Sequence, residues 1–98
     1  MTQPSEHPAR VVEHDQAGHR YVLRVGDDEA GTLTYTLRGG AVVLEHTVVD
    51  GSRREKGLGS HLVRFALDDV RASGGRIVPQ CPFVRAYLER HPEDADLV

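Results

Sequence analysis

Glu45-His46-Thr47-Val48-Val49-Asp50-Gly51-Ser52-Arg53-Arg54-Glu55-Lys56-Gly57-Leu58-Gly59-Ser60 is the stretch on which the fold turns. Upstream of Asp50 the chain from Ala41 to Val49 is a near-continuous β-branched run, which predicts a central strand covered on both faces. Downstream the period changes. Leu58, Leu62, Phe65, Ala66 and Val70 recur at three- and four-residue intervals and mark the apolar face of a helix, with Arg64, Asp68, Asp69 and Arg71 on the other face. A strand that passes through a glycine-bearing loop directly into a helix exposes the first-turn N–H groups and the positive end of the helix dipole. Such a junction is an anion site, and Arg53, Arg54 and Lys56 add a local basic patch to it. A diphosphate suits it. The spacing excludes two familiar phosphate loops: Lys56 precedes the glycines instead of following them, and Gly57-Leu58-Gly59 lacks the third glycine of a dinucleotide fingerprint.

Working outward, Val11-Val12 and His19 to Val25 read as strands separated by the turn-forming Asp15-Gln16-Ala17-Gly18. Gly26-Asp27-Asp28 turns the chain into Glu29 to Leu37, where Leu33, Tyr35 and Leu37 alternate with Thr32, Thr34 and Thr36. Gly39-Gly40 connects this strand to the next. Beyond the helix, Gly74-Gly75 stops the periodic run, Arg76 to Pro79 is a short strand, and Pro82 to about His91 is a second helix with Val84, Tyr87 and Leu88 inward. A crossover helix between two strands of one sheet leaves them parallel. The expected fold is therefore α/β (α+β): a mixed, mostly antiparallel sheet with two C-terminal helices. Residues 10–98 form one domain, preceded by a loose arm at 1–9 that carries Pro4 and Pro8.

Bulk properties narrow the function classes. With 12 basic against 15 acidic residues and a net charge of -3, the chain lacks the basic excess of a nucleic-acid binder. Its 39% hydrophobic and 28% charged residues exclude general disorder. No apolar run approaches the roughly 20 residues of a membrane span, the first ten residues have no hydrophobic signal core, and the single cysteine, Cys81, has no disulfide partner. These features lead to an expectation of a cytoplasmic protein with neither a nucleic-acid nor a membrane partner. His61 and His91 have no ligand partner at metal spacing, so no metal is expected. Glu89, Glu93, Asp94 and Asp96 read as a solvated acidic tail.

The motif at Arg54, Gly57 and Gly59 resembles the Arg/Gln-x-x-Gly-x-Gly/Ala turn of the GNAT superfamily of N-acetyltransferases. Glu45 to Val49 and the segment from Pro79 to Glu93, with its Cys-Pro-Phe and His-Pro-Glu, further resemble a group of very small GNAT-like proteins. The resemblance covers most of the chain from Tyr21 onward. It implies that acetyl-coenzyme A is the cosubstrate, that its pantetheine arm pairs with backbone at Val48-Val49, and that backbone N–H groups of Glu55, Lys56, Gly57, Leu58, Gly59 and Ser60 wrap the diphosphate while Arg54 adds charge. Two departures stand out. Only a turn occupies the place of the family's two helices between the first two strands, so the acceptor side should be open, for a protein or peptide amine or for a small amine whose pocket a second subunit completes. The protein is then a monomer or a homodimer. Cys81 stands at the family's asparagine position and Leu88 at that of its tyrosine; Tyr87 is one residue off, about 100° around the helix, and reads as core.

Transfer of an acetyl group from a thioester to an amine needs a neutral amine, a stabilised oxyanion and a proton for the leaving thiolate. Amide N–H groups near Val48 suit the oxyanion. His46 or Glu45 suits the ammonium proton, His46 being preferred; either also reads as an ordinary sheet or surface residue. Cys81 precedes a helix whose dipole favours a thiolate, which suits a proton donor or an acyl acceptor, and a lone cysteine equally reads as a small buried apolar residue. Two other functions share the fold: a non-catalytic acetyl-coenzyme A or coenzyme A binding module, and a small interaction domain without cofactor.

Overall fold

The computed structural model describes residues 9–53 and 55–98; the arm from Met1 to Pro8, and Arg54, lie outside the described residues. Five strands form one sheet in chain order: β1 (Arg10–Asp15), β2 (Arg20–Val25), β3 (Asp28–Arg38), β4 (Ala41–Val49) and β5 (Arg76–Pro79). The first three pairings are antiparallel and β4 with β5 is parallel, as the intervening helix α1 (Leu58–Ala72) requires. Helix α2 (Pro82–Arg90) and a short 3₁₀ segment, Pro92–Leu97, complete the chain. The mixed, mostly antiparallel sheet with two helices after its meander is the fold expected from the change of period at Asp50.

Both helices join one core with a single face of the sheet. Leu58, Leu62, Val63, Ala66, Leu67 and Val70 of α1, with Val84 and Tyr87 of α2, pack on Tyr21, Leu23, Leu33, Leu44 and Ile77. Each fully buried leucine or valine contributes about 2 kcal/mol. The helical stripe differs from the expected one: Phe65 lies at the rim, with its edge towards Tyr21 at 6.1 Å, and Val63 and Leu67 take the central positions. The inward face is centred on the i, i+4 row from Leu58 to Val70, and Phe65 falls beside that row.

Burial departs from the expected pattern in two places. β4 is covered on both faces only around Val43 and Leu44; Val48 is 61% exposed, because the helices occupy the other face. The acidic tail is not uniformly solvated either. Asp94 is 2% exposed and accepts from Arg64 at 2.6 and 2.9 Å and from Arg71 at 3.2 Å, which ties the 3₁₀ segment to α1. Arg64 holds its carboxyl below the usual range against the effect of burial.

Candidate functional site

The site begins where β4 and β5 part. Their ladder runs from Ala41↔Arg76 to Leu44↔Pro79 and ends there. The Leu44 carbonyl then accepts from both Gln80 N–H (3.1 Å) and Cys81 N–H (3.0 Å), after which the chain enters α2. Pro82 at the first helical position forces this turn, since it has no N–H to continue a strand. The register on the β3 side shifts at the same level: Tyr35 faces Leu44 and Thr34 faces His46, so Glu45 is an extra residue, a β-bulge. From Glu45 to Val49, β4 therefore has β3 on one side and no β5 partner on the other. That free edge includes Val48 and Val49, the positions assigned to the pantetheine arm.

The bulge resets the side-chain alternation. His46 pairs with Thr34 on the face away from the helices and is exposed, whereas Thr47 pairs with Leu33 on the helix face. Thr47 is thus the β4 residue that meets Cys81, its Oγ1 lying 3.4 Å from Sγ. Simple alternation along the sequence favours Glu45 and His46 and gives Thr47 no part in the site. No hydrogen bond joins His46 to Cys81 among the described residues. Cys81 itself is buried at the fork, in extended backbone immediately before α2. Burial pushes its thiol up, but the Thr47 hydroxyl and the N–H groups of Val84, Phe83 and Thr47 outweigh that effect, leaving it below the usual thiol value. The sulfur does not form a regular cap on α2, so this help comes from the direction of nearby N–H dipoles.

The loop leading to α1 is well braced. Asp50 Oδ1 accepts from Ser52 N–H (3.0 Å) and Ser52 Oγ (2.7 Å), which lowers the Asp50 pKa and closes the turn. Arg53 makes a two-pronged bond to Glu55 at 3.1 and 2.9 Å and also reaches Asp28 at 3.5 Å. Arg53 therefore departs from the expected basic patch: its charge is matched within the loop. It holds Glu55 below the usual carboxylate range. Lys56 is exposed, and its carbonyl accepts from Arg10 at 3.0 Å. Arg54 lies outside the described residues.

The two glycines have different tasks. Gly57 precedes α1 with φ 74°, a left-handed conformation that a side chain disfavours, and a Cβ there would meet open space. It leaves the helix entrance accessible. At Gly59 a Cβ would lie 2.7 Å from Cζ of Phe83, so this glycine lets α2 pack on α1, a role other than the approach of ligand oxygens. The first turn carries no acidic residue and no side-chain cap, and the first intrahelical bond is His61 N–H to Gly57 carbonyl at 2.9 Å. N–H groups of Leu58, Gly59 and Ser60 thus remain without intrahelical partners, at the positive end of a 15-residue helix. A cavity of about 540 Å³ borders Gly57 and Ser60 and continues past His61 and Phe65 to Tyr87 and His91. An uncapped helix start, an open Gly57 and a free strand edge together suit an extended ligand with a diphosphate at one end and amides along its arm. Tyr87 is buried and its ring stacks on His91 at 4.0 Å, which matches its reading as core.

A sequence profile described as GCN5-related N-acetyl-transferase matches residues 20–97 of this chain. The chain is also similar to Protein NATD1 of Homo sapiens, with 31% identity over 87 residues that cover 87% of this chain and 76% of that protein. Protein NATD1 of Bos taurus matches equally, at 31% over 87 residues. Protein NATD1 of Gallus gallus is 30% identical over 83 residues, 83% of this chain and 76% of the other.

Proposed function

Because the chain belongs to the GCN5-related N-acetyltransferase family, we propose that it binds acetyl-coenzyme A at the β4–α1 junction and transfers the acetyl group directly to an amine. One observation carries this reading. The free edge of β4 opens at the Leu44 fork, with Cys81 at its apex, and leads to the uncapped start of α1.

Of the Val48–Val49 pair it is Val49 that turns its N–H and carbonyl to the open edge and the pantetheine arm, since the Asp50 N–H is bonded to the Ala30 carbonyl and backbone groups alternate sides along a strand; backbone N–H groups from Glu55 to Ser60 surround the diphosphate, aided by the charge of Arg54. When bound, acetyl-coenzyme A supplies an activated acetyl thioester. An N–H of the strand near Val48 steadies negative charge on the carbonyl oxygen. His46, exposed on its face of β4, takes the ammonium proton of the acceptor, directly or through water. The Cys81 thiol, whose pKa lies on the low side of the ordinary value, gives a proton to the leaving thiolate in direct transfer; in the alternative route it attacks the acetyl carbonyl, releases coenzyme A as its thiol, and passes the acetyl group from sulfur to the amine. The acceptor is a small-molecule or peptide amine, in a protein that works in the cytoplasm as a monomer or homodimer. No helix of the described residues is long and apolar enough to cross a membrane.

A second reading, a coenzyme A binding module without turnover, is favoured by one observation: Tyr87 is buried in the core and Leu88 stands where the family's tyrosine would act. Amine-dependent release of coenzyme A, followed with a panel of small amines and lysine peptides, separates the two. Release that falls at least tenfold in Cys81→Ala supports the catalytic assignment. Full activity in that variant removes both roles given to Cys81, and binding without release across the panel leaves the module.

A further inference from the structure

At the far end of α1 from the glycine loop lies a second cavity, of about 420 Å³, with Leu37, Val42, Tyr35, His14, His19 and Asp69 among its walls. Asp69 is twelve residues beyond Gly57, about 18 Å along the helix axis. Its Oδ2 accepts from Tyr21 OH at 2.8 Å and faces His14 Nδ1 at 3.0 Å. His14 Nε2 in turn meets Tyr35 OH at 2.6 Å. No hydrogen bond reaches Asp69 Oδ1 among the described residues.

The electrostatics of this cluster are one-sided. Asp69 stands in the closing part of α1, where the dipole already presents negative charge and an acid is disfavoured. The basic residue of that last turn, Arg71, is bonded instead to Asp94 and Asp96, and the nearby Arg20 is bonded to Asp15. The partners of Asp69 are thus a phenol and an imidazole. Burial, together with the Asp69 carboxylate, pushes both Tyr21 and Tyr35 above the usual phenol value, so they remain neutral donors. The rim supplies aromatic surface. His19 holds a left-handed backbone at φ 51°, unusual for a residue with a side chain, and lays its ring on Tyr35 at 5.2 Å and 19°. Leu37 is exposed beside it.

We propose that this cavity is a second binding site, separate from the cofactor loop, which takes an organic cation: an alkylammonium or guanidinium group on a short apolar stem. The cationic head meets Asp69 Oδ1 at the negative end of the α1 dipole, and the stem lies against Leu37, Val42 and the His19 ring. A free small amine and a lysine side chain on a peptide share this chemistry.

The test is an NMR titration of the full chain at pH 8 with n-butylammonium, with a lysine-containing peptide, and with n-butanol as the uncharged control. Saturable shifts at His14, His19, Tyr35 and Asp69, absent with butanol and without movement of Gly57 to Ser60, are expected. Asp69→Asn should weaken binding at least tenfold. His19→Gly, which relieves the left-handed strain and removes the rim ring, should weaken binding severalfold without loss of stability, and it decides the matter if Asp69→Asn does not fold. Tighter binding of the peptide marks a protein-borne amine as the natural occupant, and tighter binding of butylammonium marks a free one. No saturable shift with either cation, equal binding of butanol, or undiminished binding in the variant that folds overturns the proposal.

Discussion

Replacing Asp94 by Asn should unfold the C-terminal end of the molecule more easily than any change to its exposed acidic neighbours. Asp94 is 2% exposed and accepts bonds of 2.6 and 2.9 Å from Arg64 and 3.2 Å from Arg71. A hydrogen bond to a charged group contributes roughly 1.5–3 kcal/mol, and removing one member of a buried pair costs roughly 3–5 kcal/mol when its partner is left unpaired. Here the partners are not stranded: Arg64 keeps Asp68 at 2.6 Å and Arg71 keeps Asp96 at 2.7 Å. The isosteric amide also retains one acceptor. The loss should therefore be near the lower figure, about 2 kcal/mol, or a fall in Tm of about 8–16 °C for a domain of this size. Arg64 depresses the Asp94 pKa in the folded protein, so the stabilisation is complete above the unfolded carboxylate value of about 3.9 and is lost as pH falls through the depressed value. Thermal unfolding of both proteins from pH 7 to pH 2 should show a gap that is widest at pH 7 and closes only well below pH 4. A Tm change within about 2 °C at pH 7, or a gap constant with pH, would refute the ion-pair argument.

Gly59→Ala places a methyl 2.7 Å from the Phe83 ring and should cost about 1–3 kcal/mol, with much of the loss recovered in Gly59→Ala/Phe83→Leu by chemical denaturation. Gly57→Val should cost about 1–2 kcal/mol through its left-handed backbone and also weaken acetyl-coenzyme A, a combination that isothermal titration beside unfolding detects. Thr47→Val should raise the Cys81 pKa by removing a donor to sulfur, seen as a higher midpoint in thiolate absorbance against pH; an unchanged midpoint means that the hydroxyl does not act on the thiol.

The segment that decides the fold was legible because its period changes sharply. The β-branched run ends at Val49, helical spacing begins at Leu58, and the strands and helices lie where those patterns put them. What was hidden depended on contacts between distant positions. Asp94 sits in an acidic run that reads as solvated, and its partner Arg64 is thirty residues earlier in the chain. Phe65 fits a three-residue interval from Leu62, yet the packed row leaves it at the rim. Thr47 escaped notice because simple alternation carries no sign of the bulge at Glu45, and that bulge decides which β4 side chain meets Cys81. The dual role of the glycines was equally invisible: spacing made them a pair, and only the position of Phe83 separates Gly59 from Gly57.

Acetyl-coenzyme A is proposed to sit at the β4–α1 junction. Isothermal titration of the purified chain with acetyl-coenzyme A tests it most directly. Saturable one-site binding to the wild type, lost in a folded Gly57→Val variant, is the predicted result. Absence of binding by both acetyl-coenzyme A and coenzyme A would contradict it.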